Sequence, residues 1–237
     1  MTSAKEHIDA AAVETSICPV CGRSPAKLYL NGPPHALDPA AFGSSRTKLS
    51  FGRILRCTDC GFGFSESRPT EDQLRELYRQ MDVGAYESET PGRVRTARRH
   101  RKILQRYATQ PGRILDIGCA SGRFLAECAA AGWTVVGLEP SESLCEEARQ
   151  LLGGRARILQ ATLQEADFPE SGFDAVTMWD VLEHVPSPRE FLQKAVSLVR
   201  PGGLLLANVP NLDSLQARVM RGRWPLFLPE HLNYFNR

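Results

Sequence analysis

The sequence predicts an α/β fold with a doubly wound parallel sheet, preceded by a small module built around cysteines. Three observations support this prediction. Apolar, strand-like segments alternate with amphipathic helical segments from Pro111 onward, a glycine-rich turn follows the first of these strands, and two CxxC pairs stand near the N-terminus. Alternation of strands and helices is typical of a parallel sheet covered by helices on both faces.

Composition and charge exclude several classes of protein. Hydrophobic residues make up 42% and charged residues 24% of the 237 residues, values typical of a folded globular chain. No apolar run reaches the roughly 18 residues of a membrane helix, and the polar N-terminal residues do not form a signal peptide. We therefore expect a cytoplasmic protein without a membrane partner. The net charge of +2 does not by itself indicate a polyanionic partner.

Residues 1–68 are predicted to form the N-terminal module. Cys18, Cys21, Cys57 and Cys60 form two CxxC pairs, each followed by a glycine that permits a tight turn. In a chain without a secretory signal, such pairs favour a metal over disulfides. Four thiolates at this spacing predict a zinc ribbon with a closed tetrahedral site. A closed site leaves no position for catalysis, so we expect this zinc to stabilise the fold.

Residues 69–110 are predicted to form linker helices. Thr70 and Gln73 have the spacing of a capping box at the first helix. The second helix is rich in basic residues, namely Arg93, Arg95, Arg98, Arg99, Arg101, Lys102 and Arg106. This cluster is interpreted either as a solvated helix face or as an attraction for an acidic or phosphorylated substrate.

Residues 111–237 are predicted to form the cofactor-binding domain, and its chemistry begins at the turn LDIGCASG. The spacing from Gly118 to Gly122 differs from the GxGxxG of dinucleotide enzymes, and the carboxylate of Asp116 suits an amino group better than a pyrophosphate. Glu139 ends the next strand, where a carboxylate can accept both hydroxyls of a ribose. These residues favour S-adenosylmethionine over NAD.

Residues 113–211 resemble the class I, Rossmann-like methyltransferases that use S-adenosylmethionine, particularly the branch of ubiquinone-biosynthesis-like O-methyltransferases. The glycine turn, Glu139, and the segments FDAV, LEHV and RPGG occur in the order and spacing of that family. The resemblance implies that the methionine part faces Asp116, Gly118, Cys119 and Gly122, the ribose faces Glu139 and Pro140, and the adenine faces Thr162 and Leu163. The family usually has an acidic residue where Thr162 stands.

Trp179 ends the fourth strand of the predicted sheet, where members of this family line the cofactor pocket. Its ring face would attract the positively charged sulfonium of the cofactor. The alternative is that this large aromatic side chain only packs against its neighbours.

The segment Asp180-Val-Leu-Glu183-His184 follows directly. On a helix, Asp180, Glu183 and His184 would share one face. Three interpretations stay open: a divalent cation such as magnesium held against the acceptor hydroxyl, as the family resemblance implies; His184 as a metal-free general base; or a structural role. His231 is interpreted as a further ligand or substrate contact, or as a surface or core histidine.

These features predict an S-adenosylmethionine-dependent methyltransferase that O-methylates a small hydroxylated or sugar-like metabolite. The alternatives are a nucleotide-sugar C-methyltransferase, or a zinc-ribbon protein that binds or modifies RNA, although aromatic residues for base stacking are scarce in the basic cluster. The sheet of this family continues beyond LLLANVP. The domain is therefore expected to be truncated after its fifth strand, so that this copy is weakly active or inactive.

Overall fold

The computed structural model describes residues 12–13, 16–33, 51–79, 90–168 and 172–236. These residues form two sheets of five strands each. The strands are β1 (Ala12–Val13), β2 (Ala26–Asn31), β3 (Arg53–Cys57), β4 (Gly63–Ser65), β5 (Arg113–Ile117), β6 (Thr134–Glu139), β7 (Ala156–Gln160), β8 (Phe173–Trp179), β9 (Val199–Asn208) and β10 (Asn233–Tyr234). The helices are α1 (Glu71–Arg79), α2 (Thr90–Tyr107), α3 (Arg123–Ala130), α4 (Glu142–Leu152), α5 (Pro188–Ser197) and α6 (Leu215–Met220), with a 3₁₀ turn at Arg221–Arg223.

The larger sheet is parallel, with the strand order β7-β6-β5-β8-β9. From β5 to β7 each new strand is added on one side of β5, whereas β8 and β9 are added on its other side. At such a switch in strand order, a crevice forms beyond the carboxyl ends of the strands. Asp116 of β5 lies there, paired in register with Gly137 of β6 and Thr177 of β8. The fold therefore places the predicted cofactor residues at one edge of the sheet.

Helices cover both faces of this sheet, so the doubly wound Rossmann-like prediction is confirmed. Apolar side chains of α2, α3 and α4, including Leu104, Leu125 and Ala148, pack on one face. Phe191 and Ala195 of α5 pack on the other. Burial of these two layers removes most of the apolar surface of the strands from water, and this burial is the main source of stability.

The α2 helix is held on α3 by charge as well as by apolar packing. Arg98 and Arg101 both pair with Glu127, at N···O distances of 3.2 and 3.4 Å. Two residues of the predicted basic cluster therefore serve an internal contact. The capping box predicted before α1 is also present, because Thr70 and Gln73 exchange hydrogen bonds of 2.9 and 3.2 Å.

The smaller sheet is antiparallel and draws on both ends of the described chain. Its strand order is β1-β2-β3-β4-β10, with Asn233 of β10 opposite Phe64 of β4. Trp224, Phe227 and Tyr234, which lie beyond the parallel sheet in sequence, pack with Ile54 of β3 in a shared apolar core. The segment after β9 therefore completes the N-terminal module.

None of the helices formed by the described residues combines the length and apolar character needed to cross a membrane.

Candidate active site and cysteine cluster

The turn after β5 is built around Gly118. Its φ of +73° lies in the left-handed region, and a Cβ there would stand 2.7 Å from Cγ2 of Val181. The amides of Gly118 and Cys119 both donate to the carbonyl oxygen of Leu138, at 2.8 and 2.9 Å. This turn needs glycine both for its conformation and for space.

Glu139 ends β6 beside this turn, and its carboxylate is fixed by the backbone. Oε2 accepts a hydrogen bond from the amide of Ala120 and Oε1 accepts one from the amide of Ser141, each at 2.9 Å. Burial raises the pKa of Glu139 to about 7, although both amide bonds oppose the shift. The carboxylate is therefore held at a fixed place but is costly to charge without a ligand.

Asp116 is the second buried carboxylate at this edge of the sheet. The hydroxyl of Thr177 donates to its Oδ1 at 2.6 Å. Burial, and to a smaller degree the charge of Glu139, raises the pKa of Asp116 to about 8. A ligand that brings a positive charge or hydroxyl donors to these carboxylates would favour their charged forms.

A cavity of about 650 Å³ opens over these two carboxylates and extends to His184. The predicted site residues that line it are Asp116, Gly118, Cys119, Glu139, Pro140, Thr162, Leu163, Trp179, Asp180 and His184. Gly122 and Glu183 are not among the lining residues. Gly122 instead faces α4, because a Cβ there would meet Ala148 and Leu152 at 3.0 Å.

Thr162, which stands where the family usually has an acid, is engaged with Glu165. The Oε2 atom of Glu165 accepts from the Thr162 hydroxyl at 2.8 Å and from its amide at 3.0 Å. An acidic residue is thus present three positions later, and it occupies the donors of Thr162. Leu163 is buried beside it.

Trp179 stacks on His100 of α2, with ring centroids 3.8 Å apart and an interplanar angle of 9°. Phe124 lies nearly perpendicular to the same indole, with 5.4 Å between ring centroids and an interplanar angle of 74°. One face of the indole is therefore covered by protein, which agrees with the packing interpretation. His100 also lines the cavity. Sequence reasoning missed it because it lies within the basic cluster, where the charged neighbours dominate the pattern.

The segment from Asp180 to His184 is not a helix. Asp180 has a φ of +58°, and residues 182–184 form a turn. The exposed Asp180 carboxylate accepts a hydrogen bond from the side-chain amide of Asn208. The shared helical face expected for Asp180, Glu183 and His184 is therefore wrong, because left-handed backbone at Asp180 ends β8 and turns the chain away from helical geometry.

His231 joins Glu183 and His184 instead. One candidate ligand atom from each of these three side chains lies within 4.8 Å of the others. The two imidazole rings are 4.9 Å apart between centroids. The sequence interpretation of His231 included a further ligand or substrate contact, and the fold brings this residue to the site across 47 positions of sequence from His184.

The tautomer of the neutral His184 ring is set by its hydrogen bond to the backbone of Glu230. Nδ1 lies 3.0 Å from the carbonyl oxygen of Glu230, which can only accept, so Nδ1 carries the hydrogen and Nε2 presents a lone pair. The same argument applies to His231, whose Nδ1 lies 2.8 Å from the carbonyl oxygen of Leu226. Burial lowers the pKa of His184 to about 4 and that of His231 to about 3, so both rings are neutral at pH 7.

Glu183 is buried next to the two imidazoles. Its Oε2 atom has no hydrogen-bond partner within the described part of the chain. Burial, with a smaller contribution from the charge of Asp180, raises the pKa of Glu183 to about 8. An unpaired buried carboxyl oxygen is unusual and costs free energy unless a ligand or a proton satisfies it.

Comparison with known proteins agrees with this geometry. A family model described as a methyltransferase domain matches residues 92–237, which is more than half of the chain. The chain belongs to this methyltransferase family. The matched range of the methyltransferase domain includes α2 from residue 92 onward, the part of the helix that lines the cavity, and it also includes β10.

Two curated relatives of the methyltransferase domain are ubiquinone biosynthesis O-methyltransferases. That of Aromatoleum aromaticum is 38% identical over 103 residues, which are 42% of this chain and 44% of that protein. The mitochondrial protein of Schizosaccharomyces pombe is 30% identical over 126 residues, or 51% of this chain and 44% of that protein. The chain spans less than half the length of these two relatives. The resemblance seen in residues 113–211 is thereby confirmed.

A solved structure similar to the methyltransferase domain is that of CalS10, an amino pentose methyltransferase from Micromonospora echinaspora with bound S-adenosylmethionine. It is 27% identical, has a TM-score of 0.44, and is matched over 51% of this chain and 54% of that chain.

The four cysteines predicted to bind zinc cluster beside the methyltransferase domain. Their sulfur atoms lie within 4.8 Å of one another, with 3.7 Å between Cys18 and Cys60 and 3.6 Å between Cys21 and Cys57. Zinc–sulfur bonds of about 2.3 Å in a tetrahedron place the sulfurs about 3.8 Å apart. The cluster therefore fits a tetrahedral zinc ion in donor type, donor number and spacing.

Proposed function

We propose that this chain is an S-adenosylmethionine-dependent methyltransferase that acts on a hydroxyl group of a small acceptor. One observation carries the proposal: a single cavity joins the buried carboxylates of Asp116 and Glu139 to the imidazole of His184. A cofactor bound at the first pair and an acceptor bound beside the imidazole would share that space. Positioning two reactants in this way supplies much of the rate acceleration of a direct displacement.

The cofactor residues keep the roles that the sequence predicted, except that Gly122 serves close packing against α4 instead of contacting the cofactor. Asp116 would accept from the amino group of the methionine part, and Glu139 from the two ribose hydroxyls. When bound, S-adenosylmethionine supplies an electrophilic methyl group on a positively charged sulfur. Gly118 and Cys119 leave room for it by keeping the turn close to β6, and Trp179 forms the wall on the acceptor side.

His184 would accept the proton of the acceptor hydroxyl at Nε2. The bond from Nδ1 to the carbonyl of Glu230 fixes the ring in the form that has this nitrogen free of hydrogen. As the acceptor oxygen takes the methyl group and S-adenosylhomocysteine leaves, the oxygen–hydrogen bond of the acceptor would break and His184 would receive its proton. Because burial gives His184 a pKa of about 4, it suits an acidic hydroxyl such as a phenol better than an alkyl alcohol.

The alternative role of Nε2 of His184 is to bind a divalent cation. Glu183, His184 and His231 offer one carboxylate and two imidazoles within 4.8 Å of one another. Magnesium prefers an all-oxygen octahedral site, so this donor set fits it poorly, whereas zinc, manganese and iron accept such ligands. Asp180 does not belong to the group. A cation bound there would occupy Nε2 of His184 and exclude the base role.

For the N-terminal module we propose structural zinc on Cys18, Cys21, Cys57 and Cys60. The amides of Val20 and Cys21 bond to the sulfur of Cys18, and those of Asp59 and Cys60 to the sulfur of Cys57. Such amide bonds favour the thiolate forms that zinc requires, although burial raises the pKa of Cys18 to about 12 in the absence of a metal.

The deciding experiment is calorimetric titration of the protein with S-adenosylhomocysteine, the product of the transfer. Micromolar binding that is lost in Glu139→Ala, followed by transfer of a labelled methyl group to members of a panel of phenols and sugars, supports the proposal. A folded, zinc-loaded protein that does not bind the product would contradict it. Metal analysis of the same sample shows whether a second ion accompanies the zinc.

Several predictions from the sequence form part of this proposal without a structural test. They are the cytoplasmic location and the division into residues 1–68, 69–110 and 111–237. The nucleotide-sugar and RNA alternatives also stay predictions. A gel-shift experiment with RNA at low and high salt tests the latter, because phosphate contacts weaken steeply as salt rises.

A further inference from the structure

The loop that carries His184 is held by residues from outside the parallel sheet. Asn233 of β10 donates from its side-chain amide to the carbonyl oxygens of Leu182 and Val185, at 2.8 and 2.7 Å. The backbone amides of Leu232 and Asn233 donate to the carbonyl oxygen of Glu183, at 2.6 and 3.1 Å. Three backbone carbonyl groups of this loop, those of Leu182, Glu183 and Val185, are therefore bound by two residues of the C-terminal segment.

Arg68 also bonds both to that segment and to the loop. This residue follows β4, and its guanidinium donates to the carbonyl oxygens of Pro186 at 2.6 Å and Leu232 at 3.0 Å. It also donates to the side-chain oxygen of Asn233 at 3.0 Å. These acceptors are all neutral, and burial lowers the pKa of Arg68 only to about 10, so the group stays positively charged at pH 7. Charged donors form the stronger hydrogen bonds.

The same C-terminal segment also fixes the tautomer of the His184 imidazole. Glu230, whose carbonyl oxygen accepts from Nδ1 of His184, lies two positions before Leu232. A shift of this segment relative to the loop would therefore break the bond that keeps hydrogen on Nδ1. Ionisable groups near the ring include Asp180 and His231, but the bond to the Glu230 carbonyl decides the tautomer of the neutral ring.

From these contacts we infer that Arg68 and Asn233 are positioning residues for His184, so that the N-terminal module orients the base of the methyltransferase domain. Neither residue lines the cavity, and both act through the loop and the segment that they join. The inference rests on the proposed function, in which His184 accepts the proton. It goes beyond that function because it gives the cysteine-containing module a part in active-site geometry.

The test is a measurement of the tautomer of His184 in Arg68→Met. The whole chain, shown by metal analysis to keep its zinc and to hold no second ion, is labelled with ¹⁵N in its histidine rings and studied at pH 8, and His184→Gln assigns the signal. In the unaltered protein we expect the single form with hydrogen on Nδ1. In Arg68→Met we expect loss of that single form and mixed signals from both tautomers, because the guanidinium fork cannot be replaced by an apolar side chain.

Arg56→Met is the matched control. Arg56 lies in the same antiparallel sheet and also contacts the C-terminal segment, through Asp213 at 3.1 Å, but it makes no contact with the loop. We expect the tautomer of His184 to be unchanged in this variant. Binding of S-adenosylhomocysteine should stay within about twofold of the unaltered protein in both variants, because Asp116 and Glu139 lie on other elements.

A folded Arg68→Met that keeps the single Nδ1 form overturns the inference. If Arg68→Met does not fold, Asn233→Ser is measured instead, and an unaltered tautomer in that variant overturns it equally. A merely structural role would lower the melting temperature and leave the signal of His184 as it is. Failure of the proposed function is distinguishable, because it would abolish binding of S-adenosylhomocysteine or methyl transfer without changing the tautomer result.

Discussion

The amide of Ala120 donates to Oε2 of Glu139 at 2.9 Å, so the turn after β5 and the end of β6 share one carboxylate. Glu139→Gln replaces a charged acceptor with a neutral amide, one half of which is a donor. Hydrogen bonds to charged groups contribute about 1.5–3 kcal/mol, so we expect affinity for S-adenosylhomocysteine to fall about 10- to 100-fold. Calorimetry measures this loss. Glu142→Gln, an exposed change at the start of α4, is the control and should bind normally.

The affinity for the same ligand should depend on pH. In the free protein the pKa of Glu139 is about 7 and that of Asp116 about 8, both raised by burial. Ligand donors favour the charged carboxylates, so binding lowers these pKa values and releases protons. Affinity should therefore rise between pH 5.5 and 8. Calorimetry in buffers of different ionisation enthalpy measures the released protons. Affinity that is flat or falls over this range would contradict the assignment.

Gly118→Ala is expected to damage both the fold and the site. Its φ of +73° costs an alanine about 1 kcal/mol, and the overlap with Val181 adds about 1–3 kcal/mol. Gly153→Ala is the matched control, because Gly153 has a φ of +53° with nothing within 4 Å of the added Cβ. Denaturant unfolding should show a clearly larger loss for Gly118→Ala. Equal losses would mean that Val181 moves away freely.

Cys57→Ser should remove zinc and destabilise the chain. Three thiolates and a hydroxyl bind zinc far more weakly than four thiolates, and the binding free energy of a structural zinc is also folding free energy. Metal analysis should fall from about one zinc per chain towards none, with a lower melting temperature. Cys128→Ala removes a buried thiol outside the cluster and should keep its zinc. Zinc retained in Cys57→Ser would contradict the proposed ligand set.

His184→Gln and His231→Gln separate the two uses of Nε2. With His184 as the base, its replacement should lower methyl transfer by about 10²- to 10⁴-fold with little effect on cofactor binding, while His231→Gln has a smaller effect. With a cation on Glu183, His184 and His231, both replacements would remove the ion and reduce activity alike. Transfer of labelled methyl, measured together with the metal content of each variant, distinguishes these outcomes.

Much of the parallel sheet and of the cofactor edge was predictable because the signals are local. The glycine turn at Gly118, the strand-end carboxylate at Glu139 and the two CxxC pairs each lie within a few residues, where spacing reflects geometry directly. The same locality explains the error at Asp180. Three acidic and basic residues at helical spacing predict a helical face, but the left-handed backbone at Asp180 is set by the end of β8.

The acceptor side of the site was not predictable in the same way. His231 reaches His184, and Arg68 reaches Asn233, only because β10 pairs with β4. A strand of two residues, such as β10, is too short to show a periodic pattern in the sequence. Its pairing depends on the apolar core around Trp224 and Tyr234. His100 was missed for a related reason, since stacking on Trp179 depends on how α2 lies across the sheet.

The pairing of β4 with β10 has a consequence for synthesis of the chain. Arg68 and Asn233 are 165 positions apart in sequence. During synthesis, the edge of β4 and the guanidinium of Arg68 therefore lack these partners until the segment with β10 leaves the ribosome. Exposed strand edges of this kind invite association with other nascent chains. Slow translation between β9 and β10 would therefore lower the yield of correctly folded protein.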